Sequence, residues 1–409
     1  MDILPKDQKY WQFVTNLLEN KAHKFGFSRI DTPLICTQEI IEKIPSLDPS
    51  ISMDGLSRVV PKSAETELGN YLLRADGTAN ILNAYHTHFT GEELRPAKLY
   101  QISVGYTNPV LLPTHFFNAE LIGDENPTSD ALLILFAWQI LKNLKLDQSY
   151  NIQLNSVGCP NCHSKITKQL ENHYNDNSDS ICPDCQKLDK KDIFKSLYCQ
   201  RPECIEVKNN SPHIVDLLCE DCQNHLKQLF EYLDELQIPY SLDTHLFRNN
   251  SCATKTVFDI VSPENSHMIG RGSRHDNVIE KFGSIPVPAA GFHLMIDPIV
   301  QIMKNREEKI SDKNFDIYVI QLGNHARKKV LPITNRLINE GFSVSCALHK
   351  DSLKNHLIDA EQHGAKVALI IGQREAIDNS VIFRDIRESS QETIGMDELE
   401  KFIQRKFSN

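Results

Sequence analysis

Eight of the chain's eleven cysteines fall within residues 158–222, and they fall in pairs: Cys159/Cys162, Cys182/Cys185, Cys199/Cys204 and Cys219/Cys222. Three pairs are spaced C-x-x-C, and two of these place proline directly after the first cysteine, at Pro160 and Pro183. A C-x-x-C turn aims two thiolates at one centre, so two turns complete a tetrahedron around zinc. The spacing predicts two structural zinc sites with all-cysteine shells. Reduced core thiols or disulfides are the competing reading, and spacing alone leaves open how the eight ligands are grouped. A full thiolate shell keeps no position for water or substrate, so the metal's expected work is folding, not catalysis.

Such a block must be carried by something larger. With 409 residues, the chain has room for two or three domains. Its hydrophobic fraction of 40% and charged fraction of 24% are ordinary for a globular protein. No apolar run reaches the roughly 18 residues that span a bilayer, and Met1–Lys6 has no apolar signal-peptide core, so neither membrane nor export is expected. A cytoplasmic setting would keep the thiols reduced and favour metal. The net charge of −10 argues against a protein that simply coats nucleic acid, though a local basic face remains compatible with it.

Helical periodicity runs through residues 8–25 on Trp11, Val14, Leu18, Ala22 and Phe25, with Gly26 as the stop. Residues 71–73 read as a strand end that delivers Arg74-Ala75-Asp76-Gly77-Thr78. His86 and His88 on the next helix point to different faces and read as surface residues. Residues 98–106 and 116–123 read as strands joined by a turn around Pro109 and Pro113. Thr128 or Ser129 is the expected cap of an apolar helix reaching about Leu144. Inside the cysteine block, Ile166, Leu170 and Tyr174 mark a short helix, and Leu226, Leu229, Phe230 and Leu233 mark a longer one leaving it. Strand character returns over 240–262 and 284–297, with Gly270-Arg271-Gly272 read as a turn between them. A polar linker spans 303–314. Alternating strands and helices over 315–385 then predict a small α/β domain, with Pro332 kinking its first helix or marking that helix's true start.

Several segments carry a family likeness. Asp2-Ile3-Leu4-Pro5, Phe25-Gly26-Phe27, Thr32-Pro33-Leu34, Leu73–Thr78, Ala119–Gly123, Leu246-Phe247-Arg248, Thr254–Asp259, Gly272–Asp276 and Gly291-Phe292-His293 resemble, in order, the motifs of histidyl-tRNA synthetase, a class II aminoacyl-tRNA synthetase. The resemblance implies an α+β class II core, an antiparallel sheet with flanking helices, in two parts (1–156 and 239–302). Between them lies a cysteine-rich zinc-binding helical insertion (157–238). After the 303–314 linker, an anticodon-binding-like α/β domain spans 315–409. The resemblance also implies a homodimer built through the first motif around Thr32 to Ile41, tRNA binding by residues 315–409, and ATP with magnesium if the activity is kept. By the same likeness, Asp76, Gly77, Thr78 and Glu120 form a remnant amino-acid pocket and Arg248 is the catalytic cation. Cys36, Cys252 and Cys346 read as ordinary buried thiols.

The departures from the family pattern set the functional expectation. Where the second motif reads F-R-Y-E, this chain has Val104-Gly105-Tyr106-Thr107, and the loop that follows, Pro109 to Pro113, has no arginine. Pro298 stands where the third motif's adenine-stacking arginine would be. Asn249 to Ala253 lack the aromatic pair that helps to read imidazole. Adenylate formation rests on fixed cations around the α-phosphate, and losing one such donor costs about 10²–10³ in rate. The expectation is therefore a synthetase-like protein that has lost catalysis while keeping dimerisation, zinc and possible tRNA binding. The alternatives are an active histidine–tRNA ligase with divergent motifs and a histidine-sensing regulatory subunit.

Overall fold

A computed structural model describes residues 2–43, 56–59, 71–89, 96–107, 112–188, 193–248, 252–283, 285–306, 310, 315–346, 352–388 and 390–408. The chain forms two compact units, Met1–Leu4 with Tyr10–Glu308 and Pro5–Lys9 with Lys309–Asn409.

The first unit is organised by an eight-stranded sheet. Its order is Ser28–Arg29, Ala97–Thr107, Leu112–Ile122, Ala289–Met295, Met268–Arg274, Thr254–Val261, Asn151–Ser156, Tyr240–Leu242. The six central strands pair antiparallel, as expected, but the short strand at each edge pairs parallel, so the sheet is mixed.

Side chains alternate between the faces of a strand, and directly paired residues share a face. One row across the six central strands reads Leu154, Phe258, Gly272, Phe292, Ala119, Tyr100. This apolar face packs on the helix Pro127–Asn143, with the Phe136 ring 5.4 Å from Phe292 and 5.8 Å from Phe117. That helix buries Leu133, Ile134, Phe136, Ala137, Ile140 and Leu141, so it is apolar nearly all round, as a covered helix must be. Its cap is Asn126 with Pro127 at the first helical position, not Thr128 or Ser129; proline fits there because its missing N–H would be orphaned anyway.

The opposite face is polar. Its row reads Gln153, Asp259, Arg271, His293, Asn118, Gln101. Beside it runs Asn155, Val257, Ser273, Gly291, Glu120, Leu99. This face holds the candidate site.

Two expected turns are strand instead. Gly270-Arg271-Gly272 lies inside Met268–Arg274, where the Phe258 ring and Leu294 occupy the space that side chains at Gly272 and Gly270 would need. Pro113 pairs with Tyr106 as the second residue of Leu112–Ile122, near a strand end where proline is tolerated. The turn that joins the two strands, Pro109 included, lies outside the described residues.

The second unit is a five-stranded sheet in the order Val344–Cys346, Ile317–Gln321, Val367–Ile371, Ser380–Asp385, Gln391–Gly395. Ile317, Val319, Leu369 and Val381 pack with Val330, Ile333 and Leu337 of the helix Asn324–Asn339 and with Leu399 and Ile403. Pro332 sits inside that helix and does not mark its start. The last strand and the helix Leu399–Ser408 go beyond the expected alternation. Cys36 and Cys252 are buried thiols, whereas Cys346, on the edge strand, is only half-buried.

Candidate functional site: a cysteine-rich module and a polar cleft

The cysteine pairs sit where helices begin. Cys159, Cys182 and Cys219 directly precede the helices Pro160–Asp176, Pro183–Gln186 and Glu220–Glu235, and Cys204 lies in Pro202–Asn209. The fold groups them in a nested way. Cys159, Cys162, Cys219 and Cys222 form an outer tetrad, and Cys182, Cys185, Cys199 and Cys204 an inner one, with the sulfurs of each within 4.8 Å of one another. A tetrahedron of Zn–S bonds of ~2.3 Å sets sulfurs about 3.8 Å apart. The separations are 3.7 Å for Cys159–Cys162, 3.9 Å for Cys159–Cys219 and 3.9 Å for Cys182–Cys199. Backbone amides donate to the sulfurs, Cys219 N to Cys162 Sγ and Cys182 N to Cys204 Sγ, each at 3.2 Å. The amide of Cys185 brings the Cys182 thiol down to about 7, and that of Cys222 does the same for Cys219. Burial pushes Cys185 and Cys222 up, so these need a cation in place to ionise. Both donor sets fit zinc. Gly158, at φ +74°, is obligatory, because a Cβ there would overlap Cys162.

The module is bonded to the sheet. Val157 N donates to Lys255 O and Lys255 N to Gly158 O, both at 2.7 Å. Three residues after Cys222, His225 Nε2 lies 2.6 Å from Asp130 Oδ2. Asp130 also accepts from Thr256 Oγ1 at 2.6 Å and from Arg274 Nη2 at 2.7 Å. Burial works against this carboxylate, yet the Arg274 charge and the His225 hydrogen bond hold it below its ordinary value. Sequence reasoning missed this knot. Asp130 was not singled out, and only the packing shows it fully buried.

The polar cleft is lined by Thr78, Arg248, Arg271, Gly272, Ser273, Gly291, Phe292 and His293. Of the five expected pocket residues, Thr78 and Arg248 line it directly. Asp76 is buried beside them and accepts from the Thr78 amide at 2.9 Å. Gly77 packs so closely on Asn118 that a Cβ would lie 2.6 Å from its Oδ1. Glu120 lies across Gly291, leaving no room for a side chain there, with Oε2 3.0 Å from His275 Nε2. Arg248 is 1% exposed and ion-paired with Asp259, which also lies 3.6 Å from Arg271. Two guanidiniums thus share one carboxylate. Asp259 and His293 were missed as site residues; for His293 the signal was present, since it is the one polar position in an otherwise apolar strand.

Two substitutions noted in the sequence have a structural form. Gly105 lies on the polar face, and a Cβ there would overlap the Ala75 carbonyl oxygen and sit 2.8 Å from the Phe116 ring. The Ala75 segment is pinned in that place by Tyr106 N donating to Arg74 O at 2.8 Å and by Arg74 Nε donating to Val104 O at 2.8 Å. Pro298 falls in the first turn of the helix Ile296–Asn305, beside Asp297, which accepts from the His115 amide at 2.6 Å. Asn249 to Ser251 lie outside the described residues. Among the described residues, the cleft has an internal volume of about 10 Å³, against ~300–1,000 Å³ for typical small-molecule sites.

Comparison with known proteins places this geometry. The family model for histidyl-tRNA synthetase matches residues 1–299, and that for the anticodon binding domain matches residues 316–406. The chain belongs to the histidyl-tRNA synthetase family. Curated relatives named histidine–tRNA ligase include those of Caldanaerobacter subterraneus, 28% identical over 98% of this chain and 97% of the relative, and of Dehalococcoides mccartyi, 29% identical over 97% and 96%. Among solved structures, apo S. aureus histidyl-tRNA synthetase superposes with a TM-score of 0.80 at 23% identity, covering 98% of this chain and 97% of that one. A Bacillus halodurans structure titled ATP phosphoribosyltransferase regulatory subunit/histidyl-tRNA synthetase superposes with a TM-score of 0.65 at 18% identity, covering 91% and 96%. The fold is thus the class II synthetase fold with a C-terminal anticodon-binding domain. No helix among the described residues is long and apolar enough to cross a membrane.

Proposed function

We propose that this protein is a catalytically degenerate histidyl-tRNA synthetase relative that dimerises, holds two structural zinc ions and binds tRNA through residues 315–409 without forming histidyl-adenylate. The observation that carries the reading is at Gly105. Where the family's second motif has an arginine, the Ala75 carbonyl occupies the position of the first side-chain carbon. The site is remodelled, not merely short of one group. Transfer to the α-phosphate demands a fixed cation, and Arg248 is already committed to Asp259. Pro298 supports the same conclusion.

An active ligase is the competing reading. It draws support from the full-length match to histidine–tRNA ligases and from Thr78 and Arg248 meeting in one cleft. Histidine charging of tRNA tests the choice. The proposed function predicts that labelled histidine stays off tRNA under conditions where filter binding detects the complex. Charging above background would overturn it.

A further inference from the structure

The inner cysteine tetrad adjoins the cleft, and the connection is short. Cys199 is one of its four ligands. The preceding residue, Tyr198, has a buried hydroxyl facing Arg248, Asp259 and Arg271. Four residues earlier, Phe194 stacks on Phe247, ring centroids 3.7 Å apart and planes within 6°. Phe247 is the neighbour of Arg248 in the chain. The apolar core of the module is continuous with the segment carrying that arginine: Ile193, Phe194, Leu197 and Cys204 share one cluster with Leu246, Phe247 and Val257. The 3₁₀ segment Ile193–Tyr198 is therefore fixed at one end by the tetrad and lies with its aromatic groups against Phe247 and Arg248.

We propose that the inner tetrad controls the cleft arginine, with Phe194 and Tyr198 as positioning residues that hold Arg248 buried against Asp259 while the metal keeps their segment folded. This rests on the metal reading above. A 3₁₀ segment of six residues has little intrinsic stability. Its order comes from the Phe247 stack and from Cys199 being tied to Cys182, Cys185 and Cys204. Loss of metal removes the second anchor, and the segment that covers Arg248 loosens. The outer tetrad differs in kind, because its cysteines join the sheet through Gly158 and His225 instead. Occupancy of the inner site would then be felt as exposure of a cation in the cleft.

The test reads Arg248 directly. Full-length protein is treated with phenylglyoxal, which modifies accessible arginines, and the Arg248 peptide is quantified by mass spectrometry beside a zinc count. With two zinc ions bound, Arg248 is expected to resist. Cys204→Ser, carrying one zinc, is expected to be modified about tenfold faster or more, as local opening governs such access. Tyr198→Ala is expected to keep both zinc ions and still expose Arg248, with Tyr198→Phe restoring resistance because the ring remains. Phe194→Ala should behave like Tyr198→Ala, and Phe194→Tyr should restore resistance. A Cys204→Ser protein with one zinc and wild-type resistance would overturn the coupling while leaving the metal reading intact. Two zinc ions in Cys204→Ser, or none in the wild type, would overturn the metal reading itself. If Cys204→Ser does not fold, the Tyr198 and Phe194 variants decide alone: wild-type resistance in both alanine variants would refute the proposal.

Discussion

Gly105→Ala is a single-methyl probe of the second-motif position. The new Cβ would overlap the Ala75 carbonyl oxygen and press on the Phe116 ring at 2.8 Å. A Cβ at Gly105 would lie 1.9 Å from the Ala75 carbonyl oxygen, so ordinary van der Waals contact near 3.5 Å requires the Arg74–Asp76 segment to retreat by roughly 1.6 Å. That segment cannot retreat freely. Arg74 N donates to Leu34 O at 3.1 Å, Tyr106 N donates to Arg74 O at 2.8 Å, and the Arg74 guanidinium donates to Thr32 O at 3.0 Å. Overpacking against a constrained neighbour costs about 1–3 kcal/mol. At about 2–4 °C per kcal/mol for mid-sized domains, the midpoint of the first unit should fall by roughly 2–12 °C in calorimetry. Gly395→Ala is the internal control: a Cβ there meets nothing within 4 Å, so the change should be within about 0.5 kcal/mol of neutral. If Gly105→Ala melted with the wild type, the claim that the backbone of Ala75 has taken the arginine's place would be wrong, and Gly105→Arg would become a plausible route back to activity.

Four further outcomes can be checked. Metal analysis of protein purified under reducing conditions should give about two zinc ions per chain; because thiolate zinc sites in small domains contribute ~10–16 kcal/mol, chelation should unfold residues 158–222 before the rest, and zinc-free folded protein would count against it. Asp130→Asn should cost about 3–5 kcal/mol, as breaking a buried ion pair does. Because Asp130's folded value is depressed, its stabilisation is present above the ordinary carboxylate range and is lost as pH falls through the lower folded value, so the wild-type advantage over Asp130→Asn should shrink in acid; a pH-independent difference would show that the knot is not ionic. Light scattering at micromolar concentration should return a dimer, and tRNA should bind at low salt with affinity that falls as salt rises, through a local basic surface that includes Arg327, Lys328, Lys329 and Arg336; a monomer, or no tRNA retained at low salt, would sink the corresponding part of the proposal.

Much of this was legible in residue spacing. The C-x-x-C pairs announced clustered thiolates that could hold metal, because that chemistry is local. Their grouping was not local: Cys159/Cys162 meets Cys219/Cys222 only because the chain returns to the sheet through the helix Glu220–Glu235. The polar face is similar. Asn118 and Glu120 alternate visibly along one strand, but the row from Gln153 to Gln101 exists only once six strands are ordered and in register. Gly270 and Gly272 misled, since glycine signals a turn and a closely covered strand equally well; the Phe258 ring over Gly272 decides between them. Asp130 was invisible as a buried ion because its partners Arg274, His225 and Thr256 come from three distant segments.

The central claim is that the cleft no longer supports transfer to an α-phosphate. Histidine-dependent exchange of pyrophosphate into ATP measures that step alone, free of tRNA recognition, with Arg248→Ala as the blank. Wild-type exchange is predicted to match the blank, at a rate about 10² or more below what a complete set of cationic donors supports. Exchange well above the blank, dependent on histidine, would contradict the account and establish an active ligase.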